Sequence, residues 1–355
     1  MTKGLSAIVM AAGQGTRMKS ELPKVLHPLL GRTLLSHAMH AVMGLEPESL
    51  VVVVRHDRDR VEAEALRVYP EAIIADQDEV PGTGRAVQCG LEGAALAGAD
   101  LHGTILVTNA DVPLLETDTL RALVEAHEEA GAAVTAMTAI VADATGYGRM
   151  LRTGGPNGPL SGIVEHRDAT EEQLQILEIN AGIYAFDANF LKEALEQIGS
   201  DNDQGEVYLT DTIELATRAG LLAQAFVLED IWQAEGCNDR AQLSDLRDEL
   251  LSRVCRAHQI AGVSIVDPSA TSIDVEVVLG QDAVIEPFTA LVGDTTIGPR
   301  TVVGSGSVVV NSHVGADAVI KSSYLEDSVV DSGVVLNPNT VLQSDSISSS
   351  EGNAR

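Results

Sequence analysis

Two cations follow a glycine-rich loop near the N-terminus, in the stretch AAGQGTRMKSELPKVLH. The small residues Ala11, Ala12 and Gly13 let backbone N–H groups approach an anion, and Arg17 and Lys24 add two positive charges. This combination suits a triphosphate. The loop lacks the third glycine of the dinucleotide fingerprint and the GK[ST] of a P-loop, so an ordinary connecting turn stays equally open.

A second candidate loop, DQDEVPGTGRAV, precedes a helical pattern. Gly82, Thr83 and Gly84 supply a tight turn, a hydroxyl and a helix N-terminus, while Gln77 carries an amide that can donate and accept at a base edge. A threonine that only caps the helix explains the segment equally well.

A third loop, TNADVPLL, places Asp111 just beyond the apolar segment GTILVT. A carboxylate at the end of a strand is well placed to bind Mg²⁺, which prefers oxygen ligands and bridges substrate phosphates. The alternative is an ordinary turn aspartate.

These loops belong to a region, from residue 5 to about 140, in which apolar β-type segments alternate with helical patterns. LVVVVR and GTILVT are continuously apolar, which is typical of parallel strands covered on both faces. We therefore predict a doubly wound, Rossmann-like α/β domain over residues 1–240, with a hairpin at TGGPNGPLSG. In such domains ligands bind beyond the carboxyl ends of the strands.

The remaining chain changes its period. A linker helix is predicted over 241–262, with an apolar stripe at Leu243, Leu246, Leu250, Val254 and Ala257. Apolar residues then recur every six positions at Leu279, Ile285, Leu291, Ile297, Val303 and Val309. After a slip of one residue the predicted series continues at Val314, Ile320, Val329, Val335 and Val341. This hexapeptide repeat predicts a short left-handed parallel β-helix over 263–343 rather than antiparallel strands, followed by a disordered polar tail over 344–355.

Composition narrows the class of partner. A formal net charge of −29 argues against nucleic acid and against an anionic membrane surface. The three cysteines are widely spaced without a metal-ligand pattern, which favours a reduced, cytoplasmic protein. No stretch approaches the roughly 20 apolar residues of a membrane span, so we expect neither membrane insertion nor export.

Several motifs occur together and in order: AAGQGTRMKSELPKVLH, Gln77 with PGTG, NADVP, TGYGR, GIVEH, EINAGIYAF, QGEVYLTD and EGCNDRAQL. Together they resemble the bacterial N-acetylglucosamine-1-phosphate uridyltransferases, whose domain is usually fused to a hexapeptide β-helix acetyltransferase. The resemblance extends to about residue 310. It implies Mg²⁺-dependent uridylyl transfer from UTP to N-acetylglucosamine 1-phosphate, for cell-wall precursor synthesis, in a homotrimer assembled through the β-helix.

The same resemblance implies roles for individual residues. Those expected to contact the uridine nucleotide are Met10, Ala11, Ala12, Gly13, Gln77, Gly82, Thr83, Asn109 and Ala110. Those expected to hold the N-acetylglucosamine group are Gly148, Glu165 and Asn180. Asp111 and Asn238 are implied as metal ligands, and Arg17, Lys24 and Asp111 as catalytic residues. The alternatives are a solvated surface carboxylate for Glu165, a turn amide for Asn180 and a helix cap for Asn238.

The chain departs from the family pattern in three respects. Arg85 stands where the family usually has histidine, and it is expected either to add charge near the nucleotide or to face solvent. Ala110 stands where the family usually has glycine, and its methyl group is expected to crowd the ribose or, if the family glycine has a positive φ, to demand a backbone shift. The acetyltransferase motifs are not found, so acetyl transfer is not expected. Two other functions stay open: another sugar-1-phosphate nucleotidyltransferase, of the UDP-glucose or dTDP-glucose type, and a non-catalytic sugar-nucleotide sensor.

Overall fold

The computed structural model describes residues 4–155, 158–199 and 205–348. The chain divides into two compact units, Met1–His27 with Thr33–Gln242, and Pro28–Arg32 with Leu243–Arg355. The predicted boundary at residue 240 lies two residues from the observed one, and the sequence analysis did not anticipate the short segment Pro28–Arg32 in the second unit.

The first unit is built on a mixed β-sheet. Its strands are β1 (Leu5–Met10), β4 (Ser49–Val54), β5 (Ile73–Asp76), β6 (Thr104–Asn109), β7 (Val134–Ile140), β8 (Arg149–Arg152), β9 (Leu160–Val164), β10 (Glu178–Asp187) and β11 (Ala223–Val227). The short strands β2 (Pro28–Leu29) and β3 (Arg32–Thr33) form a separate pair that, except for Thr33, belongs to the second unit. The main sheet has the order β11-β7-β10-β6-β1-β4-β5. β1 is parallel to β4 and β6, whereas β10 is antiparallel to both β6 and β7.

Helices cover both faces of this sheet, as the continuously apolar strands predicted. They are α1 (Leu34–Met43), α2 (Arg58–Val68), α3 (Thr83–Leu96), α4 (Thr117–Ala130), α5 (Ala188–Leu195) and α6 (Asp211–Arg218). Alternate residues of β1 belong to different cores: Ala7 and Val9 pack with α1, α2 and α4, and Ile8 packs with α3, α5 and α6. The predicted doubly wound α/β class is confirmed, with one antiparallel strand inside it.

The topology brings the candidate loops to one place. β1, β4, β5 and β6 are parallel neighbours, so they all end at the same edge of the sheet, which we call the carboxyl edge. Since β10 runs in the opposite direction, its first residues lie at this edge. The predicted hairpin is the antiparallel pair β8–β9, although Pro156 and Asn157 of its turn lie outside the described residues.

The second unit contains most of α7 (Arg240–Ile260) and a parallel β-helix. The strands of the β-helix are β12 (Ser264–Ile265), β13 (Ser272–Ile273), β14 (Val278–Leu279), β15 (Val284–Ile285), β16 (Ala290–Val292), β17 (Thr296–Ile297), β18 (Val302–Val303), β19 (Val308–Val310), β20 (His313–Val314), β21 (Val319–Ile320), β22 (Tyr324–Glu326), β23 (Val329–Val330), β24 (Val335–Leu336), β25 (Val341–Gln343) and β26 (Ser346–Ile347). Every third strand stacks into one of three parallel sheets. The predicted hexapeptide β-helix is confirmed.

Three details of the second unit differ from prediction, and the first concerns α7. The buried residues of α7 are Leu246, Leu251 and Cys255, whereas Ala257 of the predicted stripe is exposed. The stripe is right at Leu246, which is buried, and at Leu250 and Val254, which pack against the β-helix core. It is wrong at Ala257, because Leu251 and Cys255 supply the buried contacts of α7 in that core.

The register of the last coils also differs. Their inward residues are Leu325, Val330, Leu336 and Leu342, all buried in the β-helix core. Val329 and Val341, predicted to point inward, are 44% and 63% exposed, and Val335 is only half-buried. The error arises because the six-residue step shortens to five at several places. The predicted tail is also wrong at its start, since β26 pairs with β23, while residues 349–355 lie outside the described residues.

Candidate functional site

A cavity of about 410 Å³ opens at the carboxyl edge of the first unit. This volume lies within the range of small-molecule sites. The predicted site residues that line it are Met10, Ala12, Gly13, Lys24, Gln77, Gly82, Thr83, Asn109 and Asp111. They lie at the ends of β1, β5 and β6 or in the segments that follow them. The three candidate loops therefore meet at the carboxyl ends of parallel strands, as the predicted fold class implies.

The glycine-rich loop packs against the side chain of Lys24. Gly15 has a φ of 65°, and a Cβ atom there would lie 2.4 Å from the Lys24 Cβ atom. Gly13 has open space where a side chain would be. The loop therefore packs closely on Lys24 at one glycine and leaves room beside the cavity at the other.

Both cations of this loop contact an oxygen that the sequence analysis assigned to the metal. The Lys24 Nζ atom lies 2.5 Å from Asp111 Oδ2, in an ion pair whose side chains are 12% and 22% exposed. Arg17 donates from Nη2 to Asn238 Oδ1 at 2.8 Å. The four predicted residues are thus joined in two pairs, each made of a cation and an oxygen donor.

The backbone explains why Asn238 is available there. Cys237 donates its N–H to the Asp111 carbonyl oxygen at 2.8 Å, which fastens the segment before α7 to the loop after β6. Asp239, not Asn238, caps α7, because its Oδ1 accepts from the N–H groups of Ala241 and Gln242 at 2.9 Å. The helix-cap alternative for Asn238 is wrong.

The second candidate loop, residues 76–87, which we call the base loop, is held in place by the side-chain amide of Gln77. Gln77 donates from Nε2 to the carbonyl oxygens of Val80, at 3.1 Å, and Gly82, at 3.3 Å, which leaves Oε1 as its acceptor. Thr83 begins α3 after Gly82 at the N-cap, and its Oγ1 accepts from the Leu209 N–H at 3.1 Å. The threonine-cap alternative is therefore wrong.

Arg85 serves this loop and does not line the cavity. Its guanidinium binds Asp78 at 2.7 Å and Glu92 at 2.8 Å, and it is 18% exposed. Hydrogen bonds to these two carboxylates raise the pKa of Arg85. Neither expectation for Arg85 holds, because its charge is matched by two acids and it ties the base loop to α3.

Two predicted nucleotide contacts lie in the core. Ala11 is 2% exposed, and its N–H donates to the Val53 carbonyl oxygen at 2.8 Å. Ala110 is fully buried, and its N–H donates to the Met10 carbonyl oxygen at 3.0 Å. The Ala110 methyl group packs in a hydrophobic core and its φ is not positive, so the expectation that it crowds the ribose is wrong.

The three predicted sugar residues also come together. The Asn180 N–H donates to the Gly148 carbonyl oxygen at 2.9 Å, and a Cβ atom at Gly148 would lie 3.5 Å from both carboxylate oxygens of Glu165. Glu165 is half-buried, and no described residue donates a hydrogen bond to its carboxylate or pairs with it. Burial raises its pKa, and the nearby carboxylates Asp168 and Asp211 add to the effect. The surface-carboxylate alternative is wrong.

Arg55 and His56 also line the cavity, although no motif in the sequence indicated them. They follow β4 directly, so the rule that found the other three loops also applies to them. Arg55 donates from Nη2 to the Glu79 carbonyl oxygen at 3.4 Å, and no described carboxylate forms an ion pair with it. Arg55 is therefore a second cation, besides Lys24, that lines the cavity, whereas Arg17 is not among its lining residues.

Asp111 and Asn238 offer the donors that Mg²⁺ prefers, a carboxylate and an amide oxygen. In the described part of the chain, no group of three or more His, Cys, Asp or Glu residues is arranged to hold a metal ion. The donor set fits an ion that takes its other ligands from substrate phosphates and water. Lys24 and Arg17 on these two oxygens show that the position favours positive charge.

No helix among the described residues is long and apolar enough to cross a membrane. The three cysteines are free and buried.

The α/β sheet, with a glycine-rich loop, a lysine and a carboxylate at its carboxyl edge, is typical of a nucleotidyltransferase, and the match of residues 7–198 below shows that class. Residues 7–198 match the MobA-like NTP transferase domain, and residues 276–311 match the bacterial transferase hexapeptide of six repeats. The bifunctional protein GlmU of Kineococcus radiotolerans is 49% identical over 94% of this chain and 67% of its own length. Those of Mycolicibacterium vanbaalenii and Micrococcus luteus are 47% and 46% identical, over 95% and 98% of this chain and 68% and 71% of their own lengths. The chain belongs to the GlmU family.

Proposed function

We propose that this nucleotidyltransferase transfers the uridylyl group of UTP to N-acetylglucosamine 1-phosphate, giving UDP-N-acetylglucosamine and pyrophosphate. The observation that carries the proposal is the convergence of Gln77, Lys24 and Asp111 on one cavity at the carboxyl edge. A site for a nucleoside triphosphate needs a side chain that hydrogen-bonds to the base, a cation that binds phosphate and a carboxylate that can bind a metal ion.

In the proposed complex, Gln77 accepts from the uracil ring N–H through its remaining Oε1 atom. Lys24 and Arg17 bind phosphate oxygens and neutralise their charge. Asp111 and Asn238 hold Mg²⁺, which when bound supplies further positive charge at the phosphates.

The sugar is proposed to lie against Gly148, Glu165 and Asn180. Glu165 is a half-buried carboxylate without a partner among the described residues, so sugar hydroxyl or amide groups are suitable donors for it. The small Gly148 leaves the space beside that carboxylate open.

The reaction needs no covalent nucleophile from the protein. An oxygen of the sugar phosphate attacks the α-phosphorus of UTP, the bond from that phosphorus to the bridging oxygen breaks, and pyrophosphate leaves with the electron pair. The protein aligns two anions and lowers their repulsion, which accounts for the cations at one end of the cavity.

The experiment measures pyrophosphate release by the purified chain with and without Mg²⁺. UTP is paired with N-acetylglucosamine 1-phosphate, glucose 1-phosphate or glucosamine 1-phosphate, and dTTP replaces UTP in a parallel series. We expect the highest kcat/KM for UTP with N-acetylglucosamine 1-phosphate, and only with Mg²⁺. A preference for glucose 1-phosphate or dTTP would support the other nucleotidyltransferases, and no release in any mixture would support a sensor.

The remaining expectations belong to the same proposal. The product serves cell-wall precursor synthesis, and the free cysteines fit a cytoplasmic location. The β-helix supports assembly into a homotrimer, which light scattering tests by the molar mass in solution. Incubation with acetyl-CoA and glucosamine 1-phosphate tests the expectation that this chain does not transfer acetyl groups.

A further inference from the structure

β10 carries a wide irregularity at the point where the sugar and nucleotide residues meet. Asn180 pairs with Thr138 of β7, and the next paired residue, Tyr184, lies opposite Ala136, so the register shifts between them. Bulges of this kind re-aim side chains next to functional sites. Here the irregular stretch contains Asn180 itself, which the proposed function assigns to the sugar.

Both ends of the Asn180 amide are fixed within this stretch. The Gly182 backbone N–H lies 3.0 Å from Asn180 Oδ1, and since an N–H group only donates, the atom facing it is the oxygen. Asn180 Nδ2 then donates to Tyr184 Oη at 2.6 Å. The turn-amide alternative for Asn180 describes only the first of these bonds. One N–H and one lone pair stay available for a ligand.

Tyr184 is a rigid partner for that amide. It is 2% exposed, and its ring stacks on Phe186 with centroids 5.5 Å apart. Burial raises the pKa of Tyr184, so the phenol stays neutral at physiological pH. Because its hydroxyl is buried, Tyr184 does not itself offer a surface to the sugar.

The same stretch reaches the nucleotide cavity. Asn109, which lines the cavity, donates from Nδ2 to the Gly182 carbonyl oxygen at 3.1 Å. Gly182 has a φ of 74°, and a Cβ atom there would lie 2.8 Å from Asn109 Nδ2, so only glycine allows this approach. Hydrogen bonds therefore run from Tyr184 through Asn180 and Gly182 to Asn109.

We propose that Tyr184 is a positioning residue for the sugar phosphate: its hydroxyl fixes the orientation of the Asn180 amide, and it acts through that amide alone. The inference rests on the proposed function, because it assumes that Asn180 contacts the sugar. It adds a buried residue that determines how the sugar is held.

The test is a double-mutant cycle with Tyr184→Phe and Asn180→Ala. Tyr184→Phe removes one hydroxyl and keeps the ring that stacks on Phe186. We expect it to raise the KM for N-acetylglucosamine 1-phosphate about five- to tenfold, the cost of one lost hydrogen bond, with the KM for UTP unchanged. In the Asn180→Ala background the same substitution should change neither KM.

The control variant is Tyr324→Phe, which removes a hydroxyl bonded to Glu326 in the β-helix and should leave both KM values unchanged. Thermal unfolding of each variant detects a general structural effect. Three results would overturn the inference: an equal rise in the Asn180→Ala background, a rise in both KM values together with a lower unfolding midpoint, or no change in Tyr184→Phe. Absence of pyrophosphate release by the wild-type chain would instead overturn the proposed function, and the inference with it.

Discussion

The proposed nucleotide side of the carboxyl edge, with Lys24 and Asp111, differs in charge from the proposed sugar side, with Glu165. On the nucleotide side, Lys24 and Arg17 contact the oxygens of Asp111 and Asn238, and Arg55 adds a cation that lies near Asp78 but forms no ion pair with a described carboxylate. On the sugar side, burial raises the pKa of Glu165, and the neighbouring carboxylates raise it further.

The difference indicates which kind of group each side receives. Cations that already contact exchangeable oxygens suit a polyphosphate, whereas a half-buried carboxylate among acids suits neutral donors such as hydroxyl and amide groups. In a chain with a net charge of −29, the cations must be concentrated where the phosphates bind. The predictions below alter one side at a time.

The largest effect is expected for Asp111→Ala on the nucleotide side. The substitution removes the carboxylate proposed for Mg²⁺ and leaves Lys24 without its partner. We expect kcat to fall by about a thousandfold or more, as for loss of a central charge-stabilising group. Pyrophosphate release measures it, and circular dichroism checks the fold. Asp118→Ala, which removes a 95% exposed carboxylate, is the control. Near-normal turnover of Asp111→Ala would remove Asp111 from the site.

Lys24→Met tests the phosphate contact while keeping most of the aliphatic stem. We expect kcat/KM for UTP to fall by about a hundredfold, because one cation at the phosphates is lost. Lys192→Met, at an exposed lysine that pairs with Asp100, should behave like the wild type. If the KM for the sugar phosphate rose and that for UTP did not, the assignment of Lys24 to the nucleotide side would be wrong.

Glu165→Gln tests the sugar side. We expect the KM for N-acetylglucosamine 1-phosphate to rise about tenfold, since hydrogen bonds to a charged acceptor are replaced by weaker ones, with the KM for UTP unchanged. Glu214→Gln, at a half-exposed surface carboxylate, is the matched control. An equal change in both KM values would contradict the separation of the two sides.

The same variant makes a prediction about pH. The pKa of Glu165 is higher in the folded protein than its ordinary value of 4.5, so the folded state binds the proton more tightly than the unfolded state does. The folded state therefore loses stability as the pH rises from 4.5 through the raised pKa of Glu165. Glutamine carries no charge. We expect Glu165→Gln to unfold at a higher temperature than the wild type at pH 8, with the difference narrowing toward pH 5. A difference that widens toward pH 5 would contradict the raised pKa.

The smallest effect is expected for Arg55→Ala. A cation at the rim of the cavity is partly screened by solvent, so we expect the KM for UTP to rise only about threefold, with a weaker effect at high salt. Arg60→Ala, at a half-exposed arginine paired with Asp57, is the control. An increase confined to the KM for the sugar phosphate would show that the assignment of Arg55 to the nucleotide side is wrong.

Two parts of the site that the sequence located, Gln77 and Asp111, lie at most two residues beyond the end of a strand. They could be predicted because parallel strands end at a common edge, and the same argument applies to Arg55 after β4. Lys24 lies well beyond β1 and was indicated by its charge next to the glycine-rich loop. Burial at Ala110 was not predictable, because packing between distant segments decides which face of a short loop enters the core. The contact between Asn180 and Tyr184 depends on the shift of register in β10, which no local sequence pattern predicts.

In the β-helix, too, one feature could be predicted from the sequence and another could not. Its existence follows from the period of six, which is a property of neighbouring residues. Its final register does not, because Val329 and Val330 are adjacent and both apolar, so the sequence does not indicate which of them points inward.

The central claim is that one site holds UTP and the sugar phosphate together and transfers the uridylyl group directly between them. Exchange of labelled pyrophosphate into UTP tests this claim most directly. The account predicts exchange with Mg²⁺ and N-acetylglucosamine 1-phosphate present, and none when the sugar phosphate is left out. Exchange in the absence of the sugar phosphate would require a covalent uridylyl-protein intermediate, and would contradict the account.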